Sequence, residues 1–444
     1  MTANIDKLFD QLYPICRSIT GDGIRESLKI ISNHLPIKVY SIKSGTKVFD
    51  WVVPKEWKLN RAILKDLNNK TIIDTKDSNL HVLNFSYPFK GTIHFKELKK
   101  HLHTKKDLPN AIPYVTSYYK KNWGLCMSHN QFLKLKNKKY KVFIDTEIKN
   151  GFLNYGSFEL KGESKKIFLI TSYLCHPSMA NNELSGPLTM IRIYEKLKKL
   201  KKRKFTYRFL LIPETIGSIT YLHKQGKEIS KKIVGGIVLT CLGGPNTKIS
   251  FKLSRNSWLN QDSKIDKLAK HLSTFESKNY SSRDFSPLGG SDERQFCSPG
   301  YNLPVIQAAK TVYPPFGKFK EYHTSLDNKN FMKIQSIEKS TEQLYIFLEV
   351  FELLAKNVNG KMKYGEPQLG KRGLYPTLNS PHTRKSSNNT KTDNRKQLNI
   401  ILSILSLADD KMDIIDIANF LKISVLKLIS IVNLLIEKKL IEKI

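Results

Sequence analysis

Three residues of this 444-residue chain combine residue type and setting in a way that suits hydrolysis. His176 follows the apolar run "IFLITSYLC", and Glu214 follows "RFLLIP". His323 lies in the turn "EYHTSLDN", after a loop containing Pro and Gly. Short apolar runs of this kind read as buried strands, so His176 and Glu214 are expected just past strand ends. A lone histidine at a strand end is more often a structural group than a ligand. A carboxylate at the end of a buried strand, however, is costly to bury without a role. Two imidazoles and one carboxylate suit a zinc-activated water, because zinc lowers the pKa of bound water towards ~7 and Glu214 can shuttle the proton.

Such a site needs a scaffold that brings strand ends together. From Lys165 the chain alternates "KKIFLITSYL", "SGPLTMIRIYEKLKKL", "YRFLLIPET", "GSITYLHKQGKEI" and "IVGGIVLTCLGG". Apolar strands separated by amphipathic helices imply βαβ units and a mainly parallel sheet. Ligands of open sheets sit beyond the carboxyl ends of the strands. Residues 1–35 read as two helices joined at "RSITGDGIRE", whose Arg17 and Asp22 are candidates to face the cleft. From Val39 to Ile148 the pattern turns strand-rich.

The polar stretch "NSPHTRKSSNNTKTDNRK" at 379–396 has nothing to bury and reads as a flexible linker. After it come three short amphipathic helices, and "DIIDIANFLKIS" with its successor has helix-turn-helix spacing. Base readout needs polar side chains on the last helix, yet Val425 to Leu435 offers only Lys427 and Asn433 as longer polar groups. A packing or protein-contact module is therefore expected, rather than a DNA reader.

Composition narrows the partners. The net charge of +35 raises encounter rates with acidic molecules, but lysine is spread along most of the chain and no aromatic platform for stacked bases appears. Nucleic acid is not the expected partner. Five scattered cysteines without a CxxC pair argue against a disulfide framework and a cysteine-built zinc site. No apolar segment approaches the roughly 20 residues of a membrane span, and the N-terminal segment lacks the pattern of a secretory signal. The expected location is the cytoplasm.

Several segments together resemble the bacterial aminopeptidase-like proteins of surface-polysaccharide biosynthesis clusters, a branch of the zinc-dependent exopeptidases. They are "LYPICRSITGDGIRESL", "VFDWVVPKEW", "CHPSMANNELSG", "PETIGS", "GGSDERQF", "EYHTSLD" and "GEPQLGKRGLYP". The resemblance implies an α/β fold class: a three-layer α/β/α, phosphorylase/hydrolase-like domain formed by 1–38 and 110–378. It also implies a small inserted β-domain at 39–109 and a winged-helix-like module at 397–444.

The resemblance also assigns site residues. His176 and His323 match the family's first and last histidine ligands, and Glu214 matches its general base. The family's Asp-Asn-x-Ser-Gly run reads Asn182-Glu183-Leu184-Ser185-Gly186 here, with Asn182 at the metal-bridging position. Thr215 stands at a second carboxylate position, and the next strand offers only Thr240 and Cys241. Two neighbouring divalent ions need several carboxylates, so one zinc is expected, not two. It would be held by His176, His323 and either Asn182 or Glu183. Asp292 and Arg294 border the implied cleft as contacts for a substrate's amino and carboxylate groups.

The implied function is hydrolysis of an amide or peptide bond in a small peptide, an aminoacyl compound or a modified sugar. A homo-oligomer is compatible with this reading. Two rivals stand beside it: a catalytically degenerate binding protein that keeps the peptidase fold, and a DNA-binding regulator acting through the C-terminal module.

Overall fold

Seven consecutive buried residues, Ile167–Tyr173, make the strand on which the main sheet is built. The computed structural model describes residues 3–312, 317–353, 358–360, 367–375, 388–409 and 411–443. The chain forms two units, Met1–Asp266 with Ser282–Tyr345, and Lys267–Ser281 with Ile346–Ile444.

The first unit opens with helices α1 (Ile5–Leu12) and α2 (Asp22–Ser32) and strand β1 (Lys38–Lys43). Four strands of a smaller sheet follow: β2 (Glu56–Asp66), β3 (Thr71–Asp74), β4 (Phe89–His94) and β5 (Lys139–Lys149). The chain continues through β6 (Phe152–Leu160), β7 (Ile167–Tyr173), α3 (Ser185–Lys199) and β8 (Thr206–Ile212). Next come α4 (Ile216–Ile229), β9 (Ile233–Leu239), β10 (Ile249–Lys252) and α5 (Lys264–Phe275). The series closes with β11 (Tyr280–Arg283), β12 (Val305–Ala309) and α6 (Ile334–Leu353).

The main sheet has eight strands in the order β1-β6-β8-β7-β9-β12-β10-β11. Its centre, β8-β7-β9-β12, is parallel, whereas β6 runs antiparallel to β8 and β10 antiparallel to β12. The mixed α/β class read from the alternating pattern is the observed one. From β7 the chain passes through α3 to β8 on one side, then through α4 to β9 on the other. The order reverses at β7, which opens a crevice at the carboxyl ends. Gly186, in the first turn of α3, lets that helix close onto the sheet. A Cβ there would lie 2.1 Å from Ser172 Oγ and 2.4 Å from the carbonyl oxygen of Leu239.

The smaller sheet is antiparallel, in the order β3-β2-β5-β4. It draws on 56–149 rather than on 39–109 alone. The alternating run "YKVFIDTEI" supplies β5, which pairs with β2 from Glu56↔Lys149 to Asp66↔Tyr140, while β1 belongs to the main sheet.

The second unit contains α7 (Asn388–Leu407), α8 (Ile414–Phe420) and α9 (Val425–Glu437), with strand β13 (Val358–Gly360) antiparallel to β14 (Ile441–Lys443). Of the segment read as a linker, 379–387 lie outside the described residues, and the chain is helical from Asn388. Asp413 and Asp416 form a capping box at the start of α8, and Ser424 caps α9. The α5 residues of this unit meet both helices. Val425 N–H donates to His271 Nε2 at 2.9 Å, and His271 Nδ1 lies 2.6 Å from Asn419 Oδ1. Because a backbone N–H can only donate, the His271 proton sits on Nδ1 and the ring is neutral. Lys267–Asp416 at 3.0 Å and Ser424–Glu276 at 2.5 Å complete the contact.

Candidate active site

Beyond β7 the chain runs through Cys175 and His176 into a π-helical turn, Ala180–Leu184, that leads into α3. Such turns are uncommon and concentrate at functional sites. The turn carries Glu183 back beneath His176: Glu183 Oε2 lies 2.7 Å from His176 Nδ1, and Oε1 accepts the Cys175 N–H. Arg17, with no exposed surface, stands behind this pair. Its Nε donates to the His176 carbonyl at 2.9 Å and lies 3.8 Å from Glu183 Oε1, and its Nη1 donates to Leu12 O at 2.7 Å. The histidine is thereby held by one edge, and Nε2 is the edge presented to the crevice. Burial opposes the imidazolium, but the neighbouring Cys175 sulfur and Glu183 carboxylate raise the pKa of His176 well above the ordinary value. Cys175 itself is a thiol, pushed by burial up to about 11.

Glu214 leaves the end of β8, and its Oε2 lies 3.6 Å from His176 Nε2. Its Oε1 accepts from Ser291 Oγ at 2.7 Å. Burial raises the pKa of Glu214, against the opposing charges of His176 and Arg294. Next in the chain, Thr215 adopts φ +63°, an outlier for a β-branched residue, and its N–H donates to Asp292 Oδ1 at 2.7 Å. Ser218 Oγ donates to the same oxygen at 2.8 Å. Asp292 is fully buried, and desolvation followed by the Glu214 charge pushes its pKa up to about 8. The loop carrying Ser291 and Asp292 is pinned by a buried ion pair, Lys252–Glu293 at 2.9 Å. Arg294 is half-buried, with Nε 3.4 Å from the Ser291 carbonyl.

His323 has φ +54°, and its carbonyl accepts the Tyr114 N–H at 2.8 Å. Its ring centroid lies 5.2 Å from that of His176 and 5.2 Å from Tyr114, with Tyr322 stacked at 3.9 Å. Burial, with the charges of His176 and Lys105, lowers its pKa well below the ordinary value, so this ring is neutral. Four residues on, Asp327 clamps the π-helical turn by accepting the N–H groups of Asn181 at 2.6 Å and Asn182 at 2.8 Å. Burial raises Asp327 to about 7. Asn182 Nδ2 donates to Tyr173 Oη at 2.9 Å, which leaves Oδ1 as the free end of the amide. Ser178 (φ +44°) and Cys241 (φ +51°) complete a set of four left-handed residues on the loops that carry the site.

Arg17 Nη2, Asn181 Nδ2 and Asp292 Oδ2 are buried here without a hydrogen-bond partner, and so are two further atoms, His323 Nε2 and Asn182 Oδ1. Unpaired buried groups of this kind are costly and call for an explanation such as an ion or water. With the Nε2 of His176 the last two offer two imidazole nitrogens and an amide oxygen, a donor set compatible with zinc. Among the described residues, a separate group of close candidate ligands is Cys175, His176 and Glu183. There both Glu183 oxygens are engaged, by the Cys175 N–H and by His176 Nδ1. Glu214, His176 and Thr215 line a pocket of about 230 Å³, with Ile19, Tyr118 and Ile216 among its walls.

The structure therefore brings His176 and Glu214 together, with His323 beside His176. Glu183 lies behind His176, Asp292 is buried under Thr215, and the Asp22 carboxylate is bonded to Arg25. Sequence reasoning passed over Asp327, Ser291 and Tyr114. The first lies in "EYHTSLD" and the second in "GGSDERQF", so the motifs held the signal, but only the fold shows what these residues grip.

The chain matches the model of a family described as a domain of unknown function, DUF4910, over residues 6–357, and a winged helix-turn-helix model over 356–443. It is 42% identical over 376 residues to a Clostridium acetobutylicum protein named as a candidate polysaccharide biosynthesis protein with an aminopeptidase-like domain. That match covers 84% of this chain and 82% of the relative. A crystal structure of a candidate peptidase from Clostridium acetobutylicum is similar at TM-score 0.87 and 36% identity, covering 99% of this chain and 96% of that one. The zinc aminopeptidase BSAP of Bacillus subtilis shares the fold at TM-score 0.55 and 11% identity, over 78% of this chain and 94% of that one.

Proposed function

The chain belongs to the DUF4910 family, and on that footing we propose that it is a hydrolase of an amide bond that works with one zinc ion. The observation that carries the proposal is the pairing of His176 Nε2 with Glu214 Oε2 at 3.6 Å, beside the unpartnered Nε2 of His323. His176 and His323 would hold the ion, with the Asn182 amide oxygen as third donor. In this reading Glu183 orients His176, as carboxylates behind metal-bound histidines do. Zinc so held would supply Lewis acidity, polarising a carbonyl and making water acidic near neutral pH. Glu214 takes a proton from water and delivers it to the leaving nitrogen. Its raised pKa suits that exchange, and Ser291 fixes its carboxylate. Asp292 positions the turn after Glu214 instead of touching substrate. One ion rather than two is favoured because Asn182, Thr215 and Thr240 bring no carboxylate to the places where a second would need them.

The polysaccharide context in the relative's name supports an amide on a sugar intermediate as substrate. A second reading, a binding protein without turnover, is favoured by the same three substitutions. Metal analysis of the wild type, His176→Ala and Glu214→Gln separates the two. Catalysis predicts about one zinc per chain, lost in the first variant and kept in the second, with amide hydrolysis lost in both. A wild type that stays metal-free in excess zinc would refute the proposal. Among the described residues no helix is long and apolar enough to cross a membrane.

A further inference from the structure

An aminopeptidase must recognise the α-ammonium of its substrate, and an ammonium taken out of water needs an opposing charge. Of the carboxylates around this site, Glu183, Asp292 and Asp327 lie outside the pocket walls. Both oxygens of Glu183 are engaged behind His176. Asp292 is fully buried beneath Thr215: its Oδ1 accepts from Thr215 and Ser218, and its Oδ2, without a partner, has no exposed surface. Asp327 is fully buried and accepts two backbone N–H groups. Only Glu214 reaches the pocket, and a Glu214 bound to an ammonium could not serve as the base. Arg294 acts on Glu214, Lys105 on His323 and Glu321 on Asp327, and none of the three lines the pocket. Besides His176, Cys175 and Thr215, the remaining walls are apolar or aromatic: Ile19, Ile216, Tyr118 and Tyr119. Tyr118 turns its hydroxyl to Tyr114 Oη at 2.7 Å, and Tyr119 is 77% exposed at the rim.

From this arrangement we infer that the site takes amides whose acyl group is uncharged and carries no free α-amine, and that the protein is a deacylase of N-acylated amines rather than an aminopeptidase. This rests on the reading that the site hydrolyses amides. The reaction is a simple hydrolysis. Water adds to the acyl carbon, the C–N bond breaks, and the proton taken up by Glu214 leaves on the released amine, giving a carboxylic acid and an amine. The apolar walls hold the acyl group, and an ammonium on it would find no carboxylate in the pocket walls except Glu214, the base.

The test compares the anilides of alanine and propionic acid, which differ only in the α-amino group, on the zinc-loaded full-length chain at pH 7.0. The amine, with a pKa of roughly 7.7–8.0, is then mostly charged. The propionyl compound should be cleaved with a kcat/KM at least about tenfold higher, about 1.4 kcal/mol in transition-state terms. Equal or preferred cleavage of the alanyl compound overturns the inference. If neither is cleaved, the hydrolytic reading fails on its own, and calorimetry with propionamide and alaninamide decides the specificity. About tenfold tighter binding of propionamide upholds the inference, and equal or tighter binding of alaninamide overturns it.

Discussion

The Glu183 carboxylate, carried by a π-helical turn, and the His176 imidazole, which precedes that turn, meet at 2.7 Å between Oε2 and Nδ1. The bond fixes which ring nitrogen faces the crevice, and Arg17 at 3.8 Å keeps the carboxylate compensated. Glu183→Ala should therefore weaken zinc binding by about 10–100-fold, measured by competition with a chelator. It should also destabilise the fold by about 3–5 kcal/mol in urea, because Arg17 is left buried without its counter-charge.

Ser291 donates to Glu214, a bond that favours the ionised carboxylate. Its loss in Ser291→Ala should raise the Glu214 pKa further. A base must be deprotonated to act, so the acid limb of the pH profile of kcat/KM should move to higher pH by about half to one unit. An unmoved limb would remove Glu214 from the role of base.

Asp292 carries a pH signature in stability. Its folded pKa is raised from 3.8 to about 8, so the native state holds a proton that the unfolded chain has released over that range. The stability from this group is complete below pH ~4 and drains away as pH rises through about 8. Urea midpoints of the wild type should fall between pH 5 and pH 9. Asp292→Asn keeps an acceptor for Thr215 and Ser218 but cannot ionise, so its slope should be shallower.

In the second unit the sign reverses. His271 is neutral and burial lowers its pKa, so its contribution is full above the ordinary value of ~6.5 and is lost as pH falls through the folded pKa. Hydrogen exchange at Val425, corrected for intrinsic rates, should accelerate between pH 7.5 and pH 5. His271→Ala should reproduce that acceleration at pH 7.5.

The amino end of α9, the part of a recognition helix that reads bases, is bonded to α5 through Val425. Duplex binding by this basic chain should therefore be sequence-independent and salt-sensitive, and it should survive deletion of 397–444. Anisotropy titrations at two salt concentrations measure both properties.

Much of this was legible beforehand, because the central strands are uninterrupted apolar runs and two of the three reactive residues, His176 and Glu214, each follow one. "IFLITSYLC" leads to His176 and "RFLLIP" to Glu214 without further information. What stayed hidden depended on contacts across the chain. Counting along the sequence sets Glu183 one place beyond the family's acid, and only the π-helical turn puts it under His176. Asp327 grips Asn182 and Ser291 grips Glu214 across long stretches of chain, and no local pattern records such pairs. The smaller sheet misled for the same reason, since β5 joins β2 from far along the sequence.

The left-handed backbone at Ser178, Thr215, Cys241 and His323 has a bearing on how this protein would respond to selection. Each such residue costs roughly 1–3 kcal/mol, held in place by the surrounding bonds. A screen for thermal tolerance alone should therefore gather replacements by glycine or asparagine at these four places. Those survivors would be sturdier, the loops that aim His176 and Glu214 would be less constrained, and a replaced His323 would no longer offer its Nε2 to an ion. Heat resistance and turnover would then part company at the same four codons.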